Sequence, residues 1–222
     1  MVKLTWLGHS AFMVEMEGKT ILIDPFLNEN PMAPMKAEDI KKADIIVVTH
    51  EHSDHYGDCV GIAKRLNSKV VALFETAMKA QNEGVSEAIG TNIGSPFYVD
   101  NIKMVFTPAL HTGNPSGVVI FGEGIGIYHA GDTGLFGDMK IIGELYKPYA
   151  ALLPIGGFFT MGPEEAAYAV KLLKPKVAIP MHYNTFPPIQ QDPKKFEEEV
   201  KKRSKITKVK ILKPGETIDL PI

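Results

Sequence analysis

Only one cysteine, Cys59, occurs in 222 residues, so an internal disulfide and a thiolate cluster for metal are both excluded. Cys59 lies in an apolar, helix-like stretch and reads as a small core residue. An excess of charge of one sign is also missing. Lys and Arg number 24 against 26 Asp and Glu, a formal net charge of −2, so no global basic field draws in nucleic acid. Long hydrophobic runs are absent: the best, Tyr149 to Phe159, is broken by Pro154, Gly156 and Gly157 and is too short to span a bilayer. The start, Met1 to Trp6, lacks the apolar segment of a signal peptide. Low-complexity segments, clear linkers and tandem repeats are lacking as well. These absences predict a cytoplasmic protein with neither a membrane nor a nucleic acid as partner. What is present is ordinary globular composition, 45% hydrophobic and 23% charged. The length suits one large domain or two tightly fused halves, and we read residues 1–222 as one domain.

Strand signals open the chain. Val2 to Trp6 alternates, then Gly8-His9-Ser10 interrupts; Ala11 to Met16 and Lys19 to Asp24 follow, joined by the tight turn Glu17-Gly18. Asp24-Pro25 stops the third strand, because proline has no N–H to give a ladder. Asp44 to Val48 is a continuous apolar run, the pattern of a buried strand. Beyond it the reading alternates: a helix over Gly57 to Leu66, a strand over Lys69 to Leu73, a helix over Glu75 to Glu83, a strand over Ile102 to Thr107. Two strands joined by Glu123-Gly124 follow, then a strand over Tyr149 to Pro154. Pro163 to Leu173 is a well-marked helix: proline at its first position, Glu164 and Glu165 at the positive end, Lys171 and Lys174 at the negative end. A strand from Lys176 to Met181 and a charged helix from Asp192 to Arg203, with glutamates four residues ahead of lysines and an arginine, complete it. Alternation of this kind predicts an α/β layered fold.

The chemistry concentrates in Thr49-His50-Glu51-His52-Ser53-Asp54-His55, at the end of the apolar strand. In extended backbone His50 and His52 share a face, Asp54 continues that spacing, and His55 points elsewhere. One loop then offers two imidazoles to one metal and a carboxylate with an imidazole to another. Nitrogen and oxygen donors of this type suit zinc, and also manganese, iron or nickel. A lone histidine is usually packing or surface; this density of imidazoles at a strand end serves no packing need. His111, Asp132 and His182 likewise stand just past apolar strands in loops marked by Gly or Pro, where ligand sites of α/β sheets collect. Five of the seven histidines are thereby accounted for.

The set His50-x-His52-x-Asp54-His55, His111, Asp132 and His182 resembles the ligand set of the metallo-β-lactamase fold superfamily, and the likeness runs through nearly the whole chain. Trp6-Leu7-Gly8-His9-Ser10, Ala130-Gly131-Asp132-Thr133-Gly134, Thr160-Met161-Gly162-Pro163 and Pro180-Met181-His182-Tyr183 resemble its small metal-dependent hydrolases related to ascorbate-6-phosphate lactonase. The resemblance implies a four-layer αβ/βα sandwich of two mixed β-sheets with helices on the outer faces. It implies two divalent ions per chain, zinc first among the candidates: one on His50, His52 and His111, the other on Asp54, His55 and His182, with Asp132 between them. It implies hydrolysis of a small ester, lactone or phosphoester by a metal-bridging hydroxide, and leaves a homo-oligomer open. Asp24 matches the superfamily's early structural aspartate, and reads either as a group that positions the His50–His55 loop by hydrogen bonds or as a plain strand cap.

Asp54 and His9 are the candidate catalytic groups. Asp54 is placed to take a proton, and His9 to bind substrate, donate a proton or orient a ligand. His129 reads as a buried structural or ligand-supporting histidine. Tyr183 divides between an oxyanion donor and a core or rim residue. Phe158, Phe159, Met161 and Phe186 are candidate pocket walls, which points to a small, partly apolar ligand. The walls would come from the loops Asn28–Lys36, Gly113–Ser116, Gly156–Gly162 and Asn184–Gln191, whose one cation is Lys36, which speaks against a sugar phosphate. Two other classes compete with the hydrolase: a mononuclear iron persulfide dioxygenase, and a non-catalytic metal-stabilised binder.

Overall fold

The computed structural model describes residues 1–221. Two seven-stranded mixed sheets lie face to face. The first contains β1 (Val2–Trp6), β2 (Phe12–Met16), β3 (Lys19–Ile23), β4 (Ile45–Val47), β5 (Lys69–Leu73) and β6 (Ala88–Thr91) in chain order. The second contains β7 (Phe97–Val99), β8 (Ile102–Pro108), β9 (Ser116–Gly122), β10 (Ile125–His129), β11 (Ala150–Pro154), β12 (Val177–Met181) and β13 (Lys208–Val209). The last strand, β14 (Thr217–Leu220), returns to the first sheet and pairs antiparallel with β1, Val2 opposite Leu220.

Burial patterns explain the strand sequences. In β4, Ile45 and Val47 face the core between the sheets, while Ile46 and the following Val48 face the helices outside. A strand buried on both faces needs apolar residues at every position, which is why this stretch reads as an unbroken run. The outer face of the first sheet is covered by α2 (Cys59–Leu66) and α3 (Phe74–Asn82) through Cys59, Ile62, Ala63, Ala77 and Ala80. On the second sheet α5 (Pro163–Leu173) lies against β11, flanked by α4 (Met139–Tyr146) and α6 (Pro193–Arg203). The predicted αβ/βα sandwich is the observed architecture. None of the helices in the described residues is long and apolar enough to cross a membrane.

Both predicted tight turns form. Glu17-Gly18 and Glu123-Gly124 each place two successive residues at positive φ, 50° and 74° in one and 49° and 80° in the other, the geometry that matches the twist of paired strands. Helix α6 is capped by the Asp192 carboxylate, which accepts the Lys194 N–H at 2.9 Å. Apart from single helical turns, five elements escape the sequence reading: β6, β7, α4, β13 and β14. The four strands are short, and α4 and β6 carry an internal glycine, Gly143 and Gly90, that weakens the pattern.

Strand direction positions the site. β3, β4 and β5 run parallel, and so do β10, β11 and β12; β8 shares the direction of β10 because both pair antiparallel with β9. Asp24, His50, His111, Asp132 and His182 all follow the carboxyl ends of these strands. Backbone bonds join the two sheets at that end: Ser116 N–H donates to Thr49 O at 3.1 Å, Glu51 N–H to Gly113 O at 3.0 Å, and His182 N–H to His9 O at 3.0 Å.

Candidate metal centre

The extended spacing predicted for the polar stretch stops at His52. Ser53–Tyr56 forms a short helical turn, α1, with His52 as its N-terminal flanking residue. The turn corrects the expectation that His55 points elsewhere. It swings the His55 ring back to 4.1 Å from the His50 ring, centroid to centroid, and buries it completely.

The predicted donors meet in three overlapping groups whose ligand atoms lie within 4.8 Å of one another: His50, His52 and His111; His50, His55 and Asp132; and His9, Asp54, His55 and His182. In the first group His50 Nε2 and His111 Nε2 stand 3.1 and 3.3 Å from His52 Nδ1. Asp132 lies between the groups. Its Oδ2 is 2.9 Å from His182 Nε2, 3.6 Å from His111 Nε2 and 4.0 Å from His50 Nε2, and its Oδ1 is 3.2 Å from His55 Nε2.

Hydrogen bonds aim these atoms. The buried Asp24 carboxylate accepts the Thr49 N–H at 2.8 Å, the Thr49 hydroxyl at 2.6 Å and the His55 Nδ1–H at 2.7 Å. Since Thr49 donates its hydroxyl to Asp24, its oxygen accepts from His50 Nδ1 at 3.1 Å. Both imidazoles therefore turn Nε2 inward, the arrangement that orients metal-binding histidines. Asp24 thus does more than cap a strand. The backbone is strained to achieve it: Asp24, His9 and His182 sit at φ 46°, 53° and 52°, a left-handed conformation costing roughly 1–3 kcal/mol for a residue with a side chain. Gly113 lets the chain approach the His52 ring, because a Cβ there would meet it at 3.1 Å.

The residues present fit a metal. His55 Nε2, His182 Nε2 and Nδ1, and Asp132 Oδ1 are buried without hydrogen-bond partners, although several stand at hydrogen-bonding distance from one another. Native interiors rarely leave such atoms unpaired. Donors that converge without bonding each other are placed for a cation, and the nitrogen and carboxylate oxygen mixture suits a divalent transition ion.

Burial and neighbouring charges act on these groups in opposite directions. Burial opposes charge on His55, but Asp132 and Asp24 on either side hold its pKa well above the ordinary histidine value. Burial also opposes charge on Asp132, yet His55 and His182 hold its carboxyl well below the usual range. Burial lowers His50 to about 3, with His55 adding to the effect. Asp54 is held low against its burial by the His9 hydrogen bond and the His55 charge.

His9 is completely buried. Burial first, then the neighbouring His182, lowers its pKa to about 4. The neutral ring donates Nε2–H to Asp54 Oδ2 at 3.1 Å and accepts the Thr185 hydroxyl at Nδ1, 2.8 Å away. Thr185 was not legible as a site residue, since it lies 176 positions from His9 and carries no local signal. Thr133 was quoted only within a motif; its oxygens accept Leu110 N–H and Met161 N–H, both at 3.0 Å, and so tie the His111 loop to the 156–162 loop.

Other predicted wall residues divide. Met161 is buried in the core, whereas Phe158 and Phe159 project into solvent, 82% and 52% exposed. Phe186 stands edge-on to His9 at 5.6 Å. Tyr183 is buried and stacks on Trp6 at 5.6 Å. Lys36 donates to Asn28 O at 2.8 Å. A cavity of about 620 Å³ among Phe121, Tyr146, Tyr149 and Leu173 lies at the opposite end, where β10 to β12 begin. Donor chemistry therefore locates the site, and cavity size does not.

Residues 3–182 match the family model described as "Beta-lactamase superfamily domain". The UPF0173 metal-dependent hydrolase of Thermofilum pendens is 54% identical over 231 residues, covering 100% of both chains. That of Caldivirga maquilingensis is 53% identical over 224 residues, covering 99% of this chain and 98% of its own. Among solved structures, Igni18, a metallo hydrolase from Ignicoccus hospitalis, superimposes with a TM-score of 0.94 at 45% identity, covering 100% of this chain and 99% of its own.

Proposed function

On the premise that this chain belongs to the metallo-β-lactamase superfamily, we propose that it is a metal-dependent hydrolase of a small ester, lactone or phosphoester, its residues 1–222 acting as one domain. The observation that carries the reading is the convergence of buried donors lacking hydrogen bonds, at His55, His182 and Asp132. His50, His52 and His111 would hold one divalent ion and Asp54, His55 and His182 a second, with Asp132 near both groups. Such ions would supply a water activated by a lowered pKa and positive charge to stabilise an oxyanion developing on the substrate.

The chain's own residues do the rest. Asp54 is the carboxylate on the open side, 26% exposed, and takes up the proton released in the reaction. His9 Nε2–H keeps that carboxylate's Oδ2 in place, and Thr185 keeps the His9 ring in place. Phe26 and Phe186 close around His9 and exclude water from it. No side-chain nucleophile is needed, and Cys59 is not a candidate: it is buried, and burial pushes its thiol up. Zinc fits the donor set first; manganese, iron and nickel are compatible. The partner is a small-molecule substrate in the cytoplasm.

The test is metal content of the purified chain, element by element and per chain, together with hydrolysis of generic ester and phosphodiester substrates. Two divalent ions per chain, lost together with hydrolysis on chelation, is the expected result. One iron per chain, with no hydrolysis gained on adding zinc or manganese, would overturn it in favour of the persulfide dioxygenase.

A further inference from the structure

His129 is the one histidine that contributes no donor to any of the clusters among the described residues. It ends β10, is completely buried, and stands edge-on to Phe12 at 5.7 Å. Its Nε2 lies 2.9 Å from the Ser10 carbonyl, so that nitrogen carries the hydrogen and donates. Its Nδ1 accepts the Gly131 N–H at 3.1 Å. Both contacts demand the same neutral tautomer, Nε2–H with a bare Nδ1. Burial, the largest influence on the ring, disfavours its charged form.

The two partners belong to different halves of the site. Ser10 follows His9, which bonds Asp54, and the His9 carbonyl itself accepts from the Trp6 indole and from His182 N–H, both at 3.0 Å. Gly131 precedes Asp132. Its backbone has no slack: φ is 61°, and a Cβ would stand 2.3 Å from Ser116 O. One imidazole therefore spans from the loop that sets Asp54 and His182 to the loop that sets Asp132.

We propose that His129 is a positioning residue, a neutral strut between the two sheets that fixes the distance from the His9–Asp54 side of the site to Asp132 and so the spacing of the two ion positions. The inference rests on the two-ion reading above. Its two bonds separate by substitution. His129→Asn puts an acceptor where Nδ1 stood, keeping Gly131 and releasing Ser10. His129→Gln puts an amide N–H where Nε2 stood, keeping Ser10 and releasing Gly131. Because Asp132 serves both ions, the Gln variant weakens both, whereas the Asn variant weakens only the ion on Asp54, His55 and His182. Each loss is about 10- to 100-fold in affinity, the usual effect of removing a hydrogen bond that supports a ligand.

The experiment strips the full chain of metal and titrates wild type and both variants with zinc, with a thermal melt of each apo form alongside. Nitrogen-detected NMR of the wild-type ring reports its tautomer. Two ions in wild type, both weakened by Gln and one by Asn, with the Nε2–H tautomer, is the expected outcome. Wild-type affinities in both variants, or equal weakening of both ions by both, overturns the strut alone. A wild-type ring protonated at Nδ1 overturns it whether or not the variants fold. A wild type that takes up no zinc overturns the two-ion reading, and the strut with it.

Discussion

The two ends of the sandwich treat charge in opposite ways. At the end where β3, β4 and β5 begin, Lys19 and Lys69 pair with Asp100 at 2.8 and 2.6 Å, and Lys69 with Glu87 at 3.3 Å. All four side chains reach solvent. At the end where those strands finish, Asp24, His55, Asp132 and His182 are buried, and several of their atoms have no partner. Exposed pairs are screened and contribute little to stability. Buried charges cost several kcal/mol each unless they are compensated. A chain that keeps such a cluster in its interior keeps it for a purpose, and a metal cation is the compensation that fits the donors.

Removing the shared carboxylate should break this contrast most. Asp132→Ala is expected to abolish retention of both ions and reduce hydrolysis to background, measured by metal analysis of the dialysed protein; retention of both ions would refute a shared role. Asp24→Ala should come next. It leaves Thr49 and His55 without their common acceptor, and about 3–5 kcal/mol of stability should go, as when one partner of a buried pair is removed, readable by denaturant unfolding. His52→Ala should divide the near end in two. His52 is half-buried and belongs only to the first cluster, so one ion per chain is lost and one kept, with stability changed by less than about 1 kcal/mol.

Thr185→Val is a finer probe. It removes the hydroxyl at His9 Nδ1 without creating much space, at a cost of about 1 kcal/mol, and should lower turnover through Asp54 while both ions stay bound. Asp100→Asn, at the far end, should have the smallest effect. Lys19 and Lys69 hold the Asp100 carboxyl below its ordinary value. A depressed carboxylate stabilises the fold above its unfolded pKa, and that stability is lost as pH falls through the folded value. The variant should therefore melt within a degree or two of wild type at pH 7, and lose less than wild type on acidification below about pH 4. A large loss at pH 7 would contradict the contrast between the ends.

Legibility in sequence follows the range of the interaction. The seven donors were readable because each stands one to seven residues past an apolar strand, a signal confined to a short window. Both tight turns and α5 were readable for the same reason: Glu17-Gly18, Glu123-Gly124 and Pro163 act on their neighbours. α4 and β14 were not, since Gly143 interrupts one and the other becomes a strand only through pairing with β1, more than 200 residues away. The orientation of His55 was misread because the polar stretch was taken as extended, and the α1 turn, closed by the Gly57 N–H donating to Ser53 O at 3.0 Å, overrides that periodicity.

By itself the sequence singled out the candidate donors and placed them past apolar strands of an α/β layered fold, because hydrophobic periodicity and strand termini are local properties; the sandwich of two facing sheets was implied by the family resemblance. Tertiary structure alone decided which donors surround the Asp132 carboxylate, that Asp24 accepts from both Thr49 and His55, and that Thr185 meets His9. Those are meetings between segments up to 176 positions apart. Their geometry comes from the register of two sheets packed face to face, which no window of sequence contains.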